Sequence, residues 1–209
     1  MSAQGGAVPS LSWPHARMAG AELLERAVGY TRTSLQLVPG TDLRAATPCR
    51  DWDLLTLLHH MDDSLAAFTD AADIGYVDLV PVHDGACGPD LGRLLVTRLR
   101  DRACTLLAAW AQHPGTGEVT VADRELRSDL LAAAGALEIA THGWDVAAAC
   151  GRPRPLPAPL ALELLDVVPL LVGRDDRPSR FAERVVVPVH ARPSTRLLAS
   201  VGRRAGWPD

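Results

Sequence analysis

Apolar residues recur along this chain at intervals of three and four over long stretches, the spacing of helices that bury one face. Ala21 to Val38 sets Leu23, Leu24, Ala27, Val28, Leu35 and Val38 near one stripe, and Pro39-Gly40 ends it. After Thr47-Pro48-Cys49, Asp51 is a good N-cap for a second helix, running from Trp52 through Leu54, Leu55, Leu57, Leu58 and Met61 to Phe68. Pro81 to Pro89 reads as a loop. Asp90 then caps a third helix through Leu94, Leu95, Leu99, Leu106, Leu107 and Trp110, ending near Pro114-Gly115. The brief alternation Glu118-Val119-Thr120-Val121 predicts a small strand or an extended connector. From Asp123 or Ser128 to about Cys150, an Ala-rich run with Leu130, Leu131, Leu137, Ile139 and Val146 predicts a fourth helix, terminated by Gly151 and Pro153. Pro157 to Val172 predicts a fifth, and a short helix is expected at Thr195 to Val201. The segment between is charged and broken by Pro178, and Val185 to Val189, which contains Pro188, suits an extended stretch.

Long helices with almost no strand pattern predict an all-α fold: a four-helix bundle with an extra C-terminal helix and an extended tail. The expected organisation is a flexible segment at 1–17, the bundle at 18–173, and a tail at 174–209 packing on it. With 47% apolar residues in a chain of 209, one real core can be filled, which excludes overall disorder. The net charge is −4 and no basic cluster alternates with stacking aromatics, so a nucleic-acid surface is not expected and a small-molecule substrate is the default partner. Leu160 to Val172 is interrupted by Glu163, Asp166 and Pro169 and is too short to span a bilayer, so no membrane association is expected. Met1 to Ser10 has neither a basic start nor an apolar core, which predicts no secretory signal and a cytoplasmic protein. No motif shows oligomerisation; a homodimer is expected only because dimers are common.

Chemistry concentrates on the second and fourth helices. Glu138 and His142 are four positions apart and project from one helix face, a spacing that lets both reach one ion. His59-His60 lies in the middle of an apolar run, and either imidazole could be a third ligand across the bundle interior. Two imidazoles and a carboxylate form the ligand set of a catalytic divalent site that leaves a position open, with zinc the first expectation. Such a Glu-His pair also arises by chance on solvated helix faces, so the spacing alone does not decide.

Longer words in the sequence add to it. Thr47-Pro48-Cys49-Arg50-Asp51-Trp52, then His60 eight positions after the tryptophan, then Glu138 with His142-Gly143-Trp144-Asp145, resemble the DinB-like superfamily, specifically the mycothiol-dependent maleylpyruvate isomerase N-terminal domain group. The ending Leu197-Leu198-Ala199-Ser200-Val201-Gly202-Arg203 is similar to the close of many short members. The resemblance, from about Met18 to the C-terminus, implies a four-helix bundle with a divalent metal, usually zinc, held by His60, Glu138 and His142. It selects His60 over His59. It also implies a thiol-dependent transferase or isomerase, in which the metal takes the sulfur of mycothiol or a similar thiol. The isomerase has a substantial second domain where this chain has a short tail, so specific maleylpyruvate isomerisation is not expected. Two alternatives stand beside it: a thiol-independent enzyme using the metal as a Lewis acid (a cyclase, lyase or hydrolase), and a non-catalytic metal-binding or dimerising module.

Neighbouring residues complete the expectations. Asp145 follows His142 by three and is the candidate catalytic group, orienting the imidazole or acting as a base; Asp63 stands in the same relation to His60. Trp52 and Trp144 read as packing anchors, and Arg50 and Arg98 could bind a substrate carboxylate. The four cysteines form no C-x-x-C pair and are expected to be reduced, with Cys49 notable for lying near the metal motif.

Overall fold

The computed structural model describes residues 16–74, 76–77, 90–112, 118–121 and 124–208. Six helices dominate: α1 (Ala16–Leu35), α2 (Leu54–Ile74), α3 (Leu91–Gln112), α4 (Ser128–Ala149), α5 (Ala158–Leu171) and α6 (Pro193–Ser200). The all-α expectation needs one correction. Three short strands, β1 (Tyr76–Val77), β2 (Glu118–Val121) and β3 (Arg124–Arg127), form a sheet in the order β1-β2-β3. β1 runs parallel to β2, with Tyr76 opposite Thr120, and β2 antiparallel to β3, with Glu118 opposite Arg127. β3 leads directly into Ser128, so the fourth helix takes the later of its two predicted starts. The expected flexible segment at 1–17 lies outside the described residues except for Ala16 and Arg17, which begin α1. The loop expected at 81–89 and the stop at Pro114-Gly115 also lie outside them.

Helix α1 buries Leu23, Leu24, Ala27, Thr31, Ser34 and Leu35, one stripe at the predicted period, and rests it on α4. Helix α4 also lies against α2 and α5, while α3 closes the ring against α2 and α1. Being surrounded, α4 is buried on every side from Ile139 to Ala148. An Ala-rich helix suits that position because short side chains let neighbours approach closely and helix propensity is highest for Ala. Its end is a Schellman turn: Gly151 has φ +69°, its N–H donates to the Ala148 carbonyl at 2.8 Å, and that of Arg152 to Ala147 at 2.9 Å.

The start of α2 corrects a second expectation. Asp51 has φ 66°, in a turn closed by the Trp52 N–H on the Cys49 carbonyl at 3.2 Å, so it cannot take the extended backbone of an N-cap. Asp53 does the capping: its Oδ1 accepts from the Thr56 N–H at 2.8 Å and from the Thr56 hydroxyl at 2.6 Å. These bonds hold the Asp53 carboxyl below its ordinary pKa.

Beside the site, α1 and α4 touch through a residue with no side chain. A Cβ added to Gly143 would sit 2.2 Å from Thr31 Oγ1 and 2.9 Å from Thr31 Cβ. The Thr31 hydroxyl in turn donates to the Ile139 carbonyl at 2.8 Å, fixing it in that place. Gly143→Ala should therefore cost about 1–3 kcal/mol by overpacking, measured by urea denaturation. Gly29→Ala, where a Cβ meets nothing within 4 Å, should be neutral or stabilise by up to about 1 kcal/mol. Equal effects of the two would refute the close approach.

Candidate metal centre

Helices α2 and α4 bring the predicted ligands together. His60 Nε2 lies 2.6 Å from Glu138 Oε1, and His142 Nε2 lies 3.1 Å from the same oxygen. The two imidazole rings are 5.0 Å apart and nearly perpendicular, so both nitrogens face the carboxylate rather than each other. Ser64, one turn after His60, places its hydroxyl 3.3 Å from Glu138 Oε1. The Trp52 indole packs against the His60 ring at 4.7 Å. His142 is buried, whereas His60 and Glu138 keep partial access to solvent.

Behind His142 lies a second layer. Its Nδ1 is 2.9 Å from Asp145 Oδ2, and Asp145 is wholly buried. Arg203 grips that carboxylate from the C-terminal tail: Nη2 donates to Oδ2 at 3.0 Å and Nε to Oδ1 at 3.4 Å. Nη2 also donates to Cys49 Sγ at 3.0 Å, and the Cys49 thiol donates to Asp145 Oδ2 at 3.2 Å.

The local chain explains how each group arrives. Thr47 Oγ1 donates to the Trp52 carbonyl at 2.9 Å and accepts from the Cys49 N–H at 3.2 Å, closing the turn that presents Cys49 and Trp52. Arg203 follows a Schellman turn at the end of α6, where Gly202 has φ +82° and the Arg203 N–H donates to the Leu198 carbonyl at 2.8 Å. A Cβ on Gly202 would lie 2.7 Å from both Ala182 Cβ and the Ala182 carbonyl oxygen, so glycine is required there twice over. Leu197, Leu198 and Ala199 are buried. The closing words of the sequence thus form an anchored helix, a left-handed turn and a cation delivered to Asp145.

Electrostatics follow from these contacts. Burial works against the charged form of Glu138, but His142, by its charge and its hydrogen bond, and then His60 hold the carboxyl well below its usual range. Burial likewise works against charged His142, yet Glu138, Asp145 and Cys49 raise it well above an ordinary imidazole. For Asp145 the burial penalty is overcome first by the charge of Arg203 and then by His142, leaving it at about 2. Arg203 is raised in return by Asp145.

Among the described residues, two groups bring three donor atoms within 4.8 Å of one another and could hold a metal ion: His60, Glu138 and His142; and Cys49, His142 and Asp145. The second already surrounds a cation, the Arg203 guanidinium, which a metal would have to displace against like charge. The first surrounds none. Two of its members, Glu138 and His142, also line a cavity of about 580 Å³, together with Ser64.

The remaining expectations sort as follows. Asp145 does not suit the role of catalytic base, because a wholly buried carboxylate with a pKa near 2, already paired to Arg203, neither reaches a substrate nor takes a proton near neutrality. Its position fits the orienting role alone. Asp63 and His59 are half-buried and outside both groups. Trp144 is a core residue at 2% exposure, as a packing anchor should be. Arg50 is exposed, and Arg98 lies 3.1 Å from buried Asp62, which Arg102 also reaches at 2.6 Å, so it ties α3 to α2. Sequence reasoning missed Ser64, signalled only by its i,i+4 relation to His60, and Arg203, present in a recognised word without a role. Comparison with protein-family models, with characterised proteins and with solved structures finds no match.

Removing Arg203 leaves Asp145 buried without its cation, so Arg203→Met should cost about 3–5 kcal/mol in urea denaturation. Asp145 has a folded pKa of about 2 against roughly 3.9 unfolded. Its contribution is therefore fully present above pH ~4 and lost as the pH falls toward ~2. In Arg203→Met that acid-dependent loss should shrink; an unchanged stability profile from pH 5 to 2 would refute the pairing.

Proposed function

We propose that this chain is a divalent-metal-dependent enzyme of the DinB-like, mycothiol-dependent type, acting as a thiol transferase or isomerase on a small electrophilic metabolite. The observation that carries it is the convergence of His60, Glu138 and His142, from two helices, with Glu138 and His142 also lining the cavity. The sequence resemblance named the same three residues. The donor set fits the ion. Tetrahedral ligands at about 2.0–2.1 Å from zinc stand roughly 3.3 Å apart, and the His60 and His142 nitrogens lie 2.6 and 3.1 Å from Glu138 Oε1, so these pairs need to open by less than about 1 Å to admit the ion.

A divalent cation held there would supply Lewis acidity, drawing the pKa of a coordinated thiol toward neutrality or polarising a carbonyl. The chain's own residues do the rest. Asp145 holds His142 Nδ1 and so aims Nε2 at the point shared with His60 and Glu138. Arg203 keeps Asp145 ionised in a place where burial alone would neutralise it. Ser64 steadies the Glu138 carboxylate, and Trp52 backs the His60 ring. No helix among the described residues is long and apolar enough to cross a membrane.

One observation favours the thiol-independent version. Most of the cavity wall is aliphatic, including Leu35, Met61, Leu65, Leu99 and Leu107, which suits an apolar substrate better than a sugar-bearing thiol. Turnover of a generic electrophile with and without mycothiol separates the two.

Protein dialysed against chelator and reloaded with zinc should hold one ion per chain by elemental analysis, and His60→Ala, Glu138→Ala and His142→Ala should each abolish uptake. Because metal-free His142 keeps its proton against Glu138, zinc binding should release a proton and weaken as the pH falls. Full metal content in His60→Ala would remove the triad as the site.

A further inference from the structure

The cavity that ends at Glu138 and His142 has a chemically distinct mouth. It lies between α1 and α3, with Met61 and Leu65 of α2 and Ile139 of α4 at its base. Arg32 on α1 and Arg100 on α3 stand at its rim, exposed to solvent. Neither makes a hydrogen bond or ion pair with another described residue, unlike Arg26, Arg98, Arg102 and Arg203, each of which has a carboxylate. Glu25 shares the rim, so the mouth carries two guanidinium charges against one carboxylate. Between mouth and base most of the lining is aliphatic, with Thr31, Gln36 and Ser64 as its uncharged polar members.

We propose that this cavity binds an organic carboxylate with an apolar body, its carboxylate at Arg32 and Arg100 and its far end directed at Glu138 and His142. A cavity of about 580 Å³ falls in the range that encloses most of a small organic ligand, and apolar walls with a few placed charges are the usual design of such sites. Guanidinium groups meet a carboxylate with paired donors, which orients the ligand as well as attracting it. The inference rests on the proposed function only for what happens at the far end. Binding itself depends on the cavity and its rim.

Gly29 makes the test clean. It lines the cavity three residues before Arg32, and a Cβ there meets nothing within 4 Å, so a side chain can start at the cavity wall without a clash.

Decanoate, below its micellar concentration, serves as the probe, titrated by calorimetry into metal-free and zinc-loaded protein. One saturable site per chain is expected in both forms. Decyltrimethylammonium, with the charge reversed, should bind at least about tenfold more weakly, and Arg32→Gln with Arg100→Gln should weaken decanoate about five- to tenfold. Gly29→Phe should abolish binding while leaving thermal stability unchanged or raised. Alkylation of Cys104, exposed at the same mouth, should slow when decanoate is bound. Absence of saturable decanoate binding, equal binding of the cationic amphiphile, or unchanged affinity in folded Gly29→Phe would each overturn the proposal. Decanoate binding without zinc uptake would sink the metal-dependent function and leave this inference standing; zinc uptake without decanoate binding would do the reverse.

Discussion

A carboxylate with no exposure to water sits at the centre of this molecule, and the rest of the site is arranged around keeping it charged. Asp145 on α4 accepts from both arms of Arg203 and faces His142 Nδ1. An isolated carboxylate moved into such a place would take up a proton, since the desolvation penalty for an unpaired ion far exceeds the work of protonation. Arg203 reverses that outcome. With Asp145 ionised, the His142 ring has one orientation that satisfies it, and that orientation turns Nε2 toward His60 and Glu138. The position of a candidate metal ligand is thus governed by a residue 58 positions beyond Asp145 in sequence.

This dependence joins parts of the fold that look separate. The C-terminal helix packs on α5, and α5 on α4, yet the tail's most specific contact passes them to reach the inside of the bundle. Its approach is fixed at Gly202, where any side chain would run into Ala182 and where the backbone is left-handed. Arg177 ties the same region by donating to the carbonyls of Ala182 and Ser200. Bundle and tail therefore order together around one ion pair, and a tail that frays removes a cation from the core rather than merely exposing a surface.

The helices were legible because their burial is periodic and their stops are chemical: Gly151 ends α4 as a left-handed glycine should, and the stripe of α1 fell where the spacing put it. Two errors have local causes. Asp51 and Asp53 are both plausible caps by residue type, and only the turn closed by Thr47 decides that Asp51 is left-handed and Asp53 free to cap. The sheet was half visible, because the alternation at Glu118–Val121 is real but β1 has two residues and β3, with three charged residues in four, has no apolar alternation. Within the site, Glu138 and His142 were legible from i,i+4 geometry and His60 from the register of a resemblance. Arg203 and its link to Cys49 were not, because an ion pair between distant segments leaves no spacing to find.

Cys49, His142 and Asp145 resemble a metal group as closely as His60, Glu138 and His142 do, and both use the same imidazole. What separates them is the charge already present. The ring of His142 lies between two acceptors, Glu138 at Nε2 and Asp145 at Nδ1, but Arg203 lies on the Asp145 side alone. On that side the negative charge is balanced by a fixed guanidinium, and the thiol of Cys49 receives one of its N–H bonds. On the other side Glu138 is balanced by the protonated His142 ring, whose proton at Nε2 a divalent ion would have to displace. The protein's own cation thus makes the two faces of one histidine unequal, with a fixed guanidinium behind the inner face and a carboxylate shared with His60 on the other.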